Sequence, residues 1–136
     1  MKRVLGIGGI FFKTENPDDT KNWYKTHLGL QTDRYGTAFE WKQADSEEKG
    51  FTQWSPMEKN TAYFEPSKQE FMVNYRVQNL EKLVVELKKE GVVLCDEIET
   101  FEYGKFVHIL DNENRKIELW EPNDSVYDQL TVGRTK

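Results

Sequence analysis

The stretch FVHILDNENRKIELWEP, residues 106–122, carries one titratable side chain in each of two apolar runs: His108 between Val107 and Ile109, and Glu118 between Ile117 and Leu119. An imidazole beside a carboxylate can work as an acid–base pair, because the carboxylate favours the imidazolium and shifts its titration upward. The same two groups can also be a structural pair that satisfy each other at a cavity wall. Both readings require the side chains to share a face. Strand residues alternate between faces, and a turn of odd length around Asn112–Asn114 collects Val107, Ile109, Ile117 and Leu119 on one of them. An even turn would mix that apolar set with Lys116 and Glu118. The odd register sends Phe106, His108, Leu110, Lys116, Glu118 and Trp120 to the other face, with His108 directly across from Glu118.

The run FMVNYRV, residues 71–77, divides in the same way. Val73, Tyr75 and Val77 go to the apolar face, and Met72, Asn74 and Arg76 to the second. A face holding Phe106, Leu110, Trp120 and Met72 beside polar and charged groups is unlike a solvent-washed surface and suits the concave wall of a pocket. Arg76 and Asn74 can hold an anionic or carbonyl ligand there; alternatively, Arg76 bridges to an acid such as Glu40. Trp41, Trp54 and Trp120 suit stacking on a planar ligand or packing in a core or dimer. His27 falls in the last turn of a helix, where positive charge complements the dipole. Trp23 and Tyr24, at helical spacing, read as core, and Cys95 as a small buried apolar residue.

Two segments carry helix punctuation. In residues 16–29, Asn16 caps, Pro17 takes the first position, Asp18 and Asp19 follow, and Gly29 stops the helix. In residues 79–91, Asn79 caps, Leu80, Leu83, Val84 and Leu87 form one stripe, and Gly91 stops it. Each helix follows an apolar strand, VLGIGGIFF or FMVNYRV. Further strand-like segments come after: LQTDRYG, TAFEWKQ and GFTQWS, then VVLCD, YGKFVHIL and RKIELWE. The order strand–helix–strand–strand–strand is therefore written twice. This predicts an α+β fold in one domain, 1–136, with two tandem βαβββ modules, 1–62 and 63–122, and a polar tail, 123–136, that frays. The expected architecture is a curved, eight-stranded mixed sheet with helices on the outer face.

With 136 residues, of which 18 are Phe, Tyr or Trp, the chain can build one sizeable core. A formal charge of −5 without a basic run argues against nucleic acid and anionic membranes as partners. One cysteine cannot form an internal disulfide, which suits a cytoplasmic setting. The apolar run Val4–Phe12 lacks a small-residue cleavage site after it and reads as a buried strand; no stretch is long enough to span a bilayer.

The two modules, with KNWYKTHLG in the first and LDNENRKIELWEP in the second, resemble the vicinal oxygen chelate superfamily, which includes glyoxalase I, fosfomycin-resistance proteins, extradiol dioxygenases and bleomycin-binding proteins. The resemblance spans residues 4–122. It implies a divalent metal on the concave face of the metal-dependent members, and a position matching His108 that looks into the ligand site in the fosfomycin-resistance branch. Of the ligand positions, only Glu118 matches; Gly9 and Met72 stand where histidines are usual, and Gln53 near the first module's carboxylate. A glycine and a thioether cannot replace imidazoles for a borderline or hard cation. The resulting expectation is a metal-independent small-molecule-binding protein, without cofactor and homodimeric, with Asn74, Arg76, Phe106, Trp120, Met72 and Gln53 at the ligand and His108 with Glu118 as the candidate catalytic pair. The alternatives are a metal-dependent lyase, isomerase or dioxygenase, and a metal-free enzyme using His108 as base.

Overall fold

The computed structural model describes residues 3–44 and 46–136. In chain order the elements are β1 (Val4–Thr14), α1 (Pro17–Leu28), β2 (Thr37–Lys42), β3 (Lys49–Glu58), β4 (Phe71–Val77), α2 (Leu80–Lys89), β5 (Glu99–Phe101), β6 (Gly104–Leu110), β7 (Lys116–Pro122) and α3 (Asp124–Leu130). The strands form one mixed sheet in the order β2-β3-β1-β4-β7-β6-β5. β1 runs parallel to β3 and β4 parallel to β7, while β1 and β4 meet antiparallel in the middle.

Among the described residues the sheet has seven strands where eight were expected. LQTDRYG folds back on itself instead: Asp33 accepts from the Tyr35 N–H with its side chain, and a single bridge links Asp33 to Gly36. That is a turn held by a local aspartate, which competes with strand pairing. VVLCD pairs with the sheet as a single Leu94–Ile109 bridge rather than a strand, and the edge strand forms three residues later at β5. The first half is therefore strand–helix–two strands.

The helix signals behave largely as written. Asn16 accepts from the Asp19 N–H, and Gly29 takes a left-handed φ of 73° at the end of α1. Asn79 does not cap α2 with its side chain; Glu121 of β7 accepts from the Leu80 N–H at 2.7 Å in its place. α2 lays Leu80, Leu83, Val84 and Leu87 on Val77, Val107 and Leu119. α1 is less engaged. It buries no residue fully, and Trp23, expected in the core, is 54 % exposed. Tyr24 packs on Trp54 with ring centroids 4.8 Å apart.

The tail is ordered. α3 is capped by Asn123, whose side chain accepts from Val126, and it lies across the face opposite α1 and α2, with Tyr127 against Ala38, Phe51 and Trp120. Beyond it, Arg134 pairs with Asp33 at 2.7 Å, and the Thr135 N–H donates to the Gln31 carbonyl. Polar composition suggested fraying, but Tyr127 of α3 finds an aromatic wall and Arg134 and Thr135 find partners beyond it. Among the described residues no helix is long and apolar enough to cross a membrane.

Leu80 is fully buried and Val85, on the far side of the same helix, is 52 % exposed. Leu80→Ala should cost about 2–5 kcal/mol by transfer and cavity terms. Val85→Ala should stay within about 0.5 kcal/mol. Urea unfolding of the two variants checks this, and similar losses would contradict the packing.

Candidate functional site

One row of residues crosses the sheet on the face opposite α1 and α2. Strand registry sets Ala38 beside Gln53, Gln53 beside Gly9, Gly9 beside Asn74, Asn74 beside Glu118, and Glu118 beside His108. The five-residue turn between β6 and β7 is the odd length that this pairing needs. Residues that face each other in adjacent strands point the same way, so the row is the floor of the concave side. Met72 pairs with Phe11, not Gly9. The second-half counterpart of Gly9 is thus Asn74, two residues on from the one expected: Gly9 pairs with Gln53 of β3 as Asn74 pairs with Glu118 of β7.

At one end of the row Glu118 is 2 % exposed and His108 4 %. The imidazole Nε2–H donates to Glu118 Oε2 at 2.7 Å, and Nδ1–H donates to Asp96 Oδ2 at 2.6 Å. The Asp96 carboxylate also accepts from the His108 backbone N–H. The Tyr63 hydroxyl donates to Glu118 Oε2, and Asn74 Nδ2 donates to Oε1 at 2.7 Å. Burial by itself would lower the His108 pKa; the hydrogen bond and charge of Glu118, then those of Asp96, outweigh it and raise it above the ordinary histidine value. With a carboxylate at each ring nitrogen, the arrangement favours the charged imidazole, in which both N–H groups find acceptors and no lone pair is left to accept a proton. Burial, then the Glu118 charge, pushes the Tyr63 hydroxyl far above its usual value, so it stays a neutral donor.

The metal positions can be tested on this geometry. Both oxygens of Glu118 already accept from N–H or O–H groups. The first-strand position is Gly9, where a Cβ would stand 3.0 Å from Phe11 Cζ and 3.3 Å from Asn74 Cβ. A histidine there would have to push the Phe11 ring aside. Asn74 Oδ1 is buried and finds no hydrogen-bond partner among the described residues, but a lone amide oxygen beside an amide donor is a poor cation ligand. Gln53 is engaged as well: its Oε1 accepts from the Tyr127 hydroxyl and from Arg134 Nη1 at 2.6 Å. The donor set differs from the one that the resemblance implies for the metal-dependent members.

Two residues along β4 from Asn74, Arg76 is 1 % exposed and forks onto Asp124 of α3, with Nη1 and Nη2 at 2.8 and 2.6 Å from the two carboxylate oxygens. The guanidinium lies over the Trp41 and Trp120 rings at 5.3 and 5.6 Å. Its partner is therefore Asp124, not Glu40, which pairs with Lys49. Phe106 stacks flat on Trp120 at 5.7 Å.

The structure brings His108, Glu118, Asn74, Gln53, Arg76, Phe106 and Trp120 to one face, but it does not leave them as an open groove. Residues 59–70 cover the Glu118 end with Tyr63 and Phe64, and α3 with its following residues covers the Arg76 end. Sequence reasoning missed Tyr63, Asp96 and Asp124. The first two lie in irregular segments without periodicity. Asp124 had a readable signal, an Asn123 cap followed by Val126, Tyr127 and Leu130. Cys95 is half-buried, and burial raises its thiol pKa, away from a reactive thiolate.

No protein-family model and no curated protein matches this chain in sequence. Solved structures do match in fold. Methylmalonyl-CoA epimerase from Mycobacterium tuberculosis aligns with TM-score 0.58 at 19% identity, over 94% of this chain and 95% of that one. A glyoxalase/bleomycin resistance protein/dioxygenase superfamily member from Vibrio splendidus 12B01 aligns at 0.52 and 9%, covering 85% and 97%. The Mn(II)-bound glyoxalase from Novosphingobium aromaticivorans aligns at 0.56 and 13%, covering 89% of this chain and 40% of that one. The chain has the vicinal oxygen chelate fold.

A group whose pKa is higher folded than unfolded stabilises the fold fully below its unfolded value, near 6.5 for histidine, and loses that contribution as pH rises through the folded value. His108 is such a group. Its ring should titrate at lower pH in Glu118→Gln than in the parent, measured by NMR. An unmoved or raised titration would show that the two are not energetic partners.

Proposed function

We propose that this chain, built on the vicinal oxygen chelate fold, is a metal-independent small-molecule-binding protein of the glyoxalase/bleomycin-resistance type, with its ligand held on the concave sheet face. The observation that carries this reading is the occupation of Glu118: the one carboxylate in the row has both oxygens committed to Asn74, His108 and Tyr63. Metal chemistry of the kind the Mn(II)-bound neighbour's name implies would require that network to be dismantled. A metal-free reaction with His108 as base is also disfavoured, since both ring nitrogens donate to carboxylates in the resting arrangement. What the face offers instead is recognition chemistry: a buried guanidinium, two carboxamides and a wall of Trp41, Trp120 and Phe106.

The proposal includes a homodimer in the cytoplasm. The outward side of α1, with Trp23 and Leu28 exposed, supplies apolar area that a second copy would cover. The net charge of −5 speaks against nucleic acid or anionic membrane as partner.

Ligands that bind only the folded state stabilise it by about 2.7 kcal/mol at a hundredfold excess over Kd. For a chain of this length that corresponds to roughly 8–10 °C in Tm. Manganese, zinc, nickel or cobalt should leave Tm unchanged, and so should a chelator. A library of small aromatic compounds should contain members that raise it. A metal-dependent rise reversed by chelation would overturn the metal-independent reading, and a library without stabilising members would overturn the binding role.

A further inference from the structure

Two elements close the concave face, and they are held differently. Residues 59–70 bring Phe64, fully buried with Phe11 and Met72, and Tyr63 on Glu118. α3 brings one buried aromatic, Tyr127, while Leu130 and Val132 remain exposed. Its other anchors are ionic or hydrogen-bonded: Asp124 on Arg76, Asp128 on Lys49, Arg134 on Asp33 and Gln53, and Thr135 on Gln31 and Thr37. Exposing one aromatic ring costs far less apolar burial than undoing the Phe64 cluster. α3 is the cover that lifts more easily. A surface cleft lined by Lys49, Phe51, Glu121, Asp124 and Asp128 already reaches the junction where it would part.

The groups α3 places on the wall are themselves informative. The Tyr127 ring lies 5.3 Å from Phe51 and 5.2 Å from Trp120, and its hydroxyl donates to Gln53 Oε1. One helical turn earlier, the Asp124 carboxylate sits in the fork of Arg76. Residues three apart on a helix have Cβ atoms about 5–6 Å apart. α3 thus presents a neutral phenol and a carboxylate at a short, fixed separation to a slot made of an arginine, a glutamine amide and stacked aromatic rings. Arg76 Nε finds no hydrogen-bond partner among the described residues, which leaves one donor of the buried guanidinium free for a ligand.

We propose that α3 is a displaceable internal stand-in for the ligand, and that the site beneath it binds a small hydroxyaryl carboxylate, with the carboxylate on Arg76, the ring between Phe51 and Trp120, and the phenol hydroxyl on Gln53. This deepens the small-molecule-binding reading and rests on it. The ligand's apparent affinity is its intrinsic affinity scaled by the fraction of chains in which α3 is lifted, so weakening the α3 anchor strengthens binding.

The test uses 3-(4-hydroxyphenyl)propionate and full-length protein. Calorimetry should give at least tenfold tighter binding to Asp124→Asn than to the parent chain. Arg76→Gln, and the propionamide offered in place of the acid, should each bind at least tenfold more weakly. At saturation of the parent, amide hydrogen exchange should rise across residues 124–136 while β4 and β7 stay protected. Equal or weaker binding to Asp124→Asn overturns the proposal, as does unchanged exchange in 124–136 at saturation. If Asp124→Asn does not fold, the exchange measurement on the parent decides. Library compounds that stabilise the chain without loosening α3 would refute the stand-in role and leave the wider binding role intact; absence of any stabilising compound would remove both.

Discussion

A carboxylate buried in the middle of a sheet has to be supplied with hydrogen-bond donors, because the desolvation cost of an unpaired buried charge is several kcal/mol. Glu118 is that group here, and much of the architecture follows from its supply. Asn74 on β4 and His108 on β6 reach it only if β7 lies between those two strands in the observed register. Tyr63 reaches it only if residues 59–70 cross over the concave face. His108, charged by this contact, requires a second anion, and Asp96 provides it from the segment ahead of β5. One buried charge thereby fixes three strands and draws two irregular segments onto them.

The same logic repeats two residues along β4 with opposite sign. Arg76 is fully buried between two indole rings, and a guanidinium in that position requires an anion and receives Asp124. Breaking such a pair from one side costs about 3–5 kcal/mol, while the intact pair contributes much less net stability than its short distances suggest. The two buried charges therefore differ in kind. Glu118 takes its donor Tyr63 from a segment whose Phe64 is buried with Phe11 and Met72, whereas the Arg76 partner comes from a seven-residue helix with one buried aromatic. Gly8 lies between them: lacking a side chain, it lets Asn74, Arg76 and Trp120 close over β1.

The division of residues between the two faces was legible in the sequence, because strand alternation and the stripe on α2 are local patterns with one consistent solution. The His108–Glu118 pairing was legible for the same reason; an even turn would have exposed Val107 and Ile109. What was not legible came from segments whose course is set by tertiary contacts. Tyr63 and Asp96 sit in irregular chain, and nothing local to TAYFEP or LCDEIE says which buried charge each will meet. VVLCD has the composition of a strand, yet its neighbours leave it a single bridge. LQTDRYG lost its strand to an aspartate that found a nearer backbone N–H. The tail misled through its average polarity, which hid three apolar residues at helical spacing.

The sheet is open, and its two borders are unlike those of an aggregating protein. β5 is three residues long and wholly exposed, with Glu99 at its start. β2 carries Glu40 and Lys42 along the opposite border, joined to Lys49 and Glu47 by ion pairs. Short or charged borders give an incoming strand few free backbone groups to template on and impose a desolvation cost when it docks. A fold that buries so much polar machinery in its floor thus keeps its rims poor in the features that seed fibrils, and its tolerance of crowding rests on those few border residues rather than on the core.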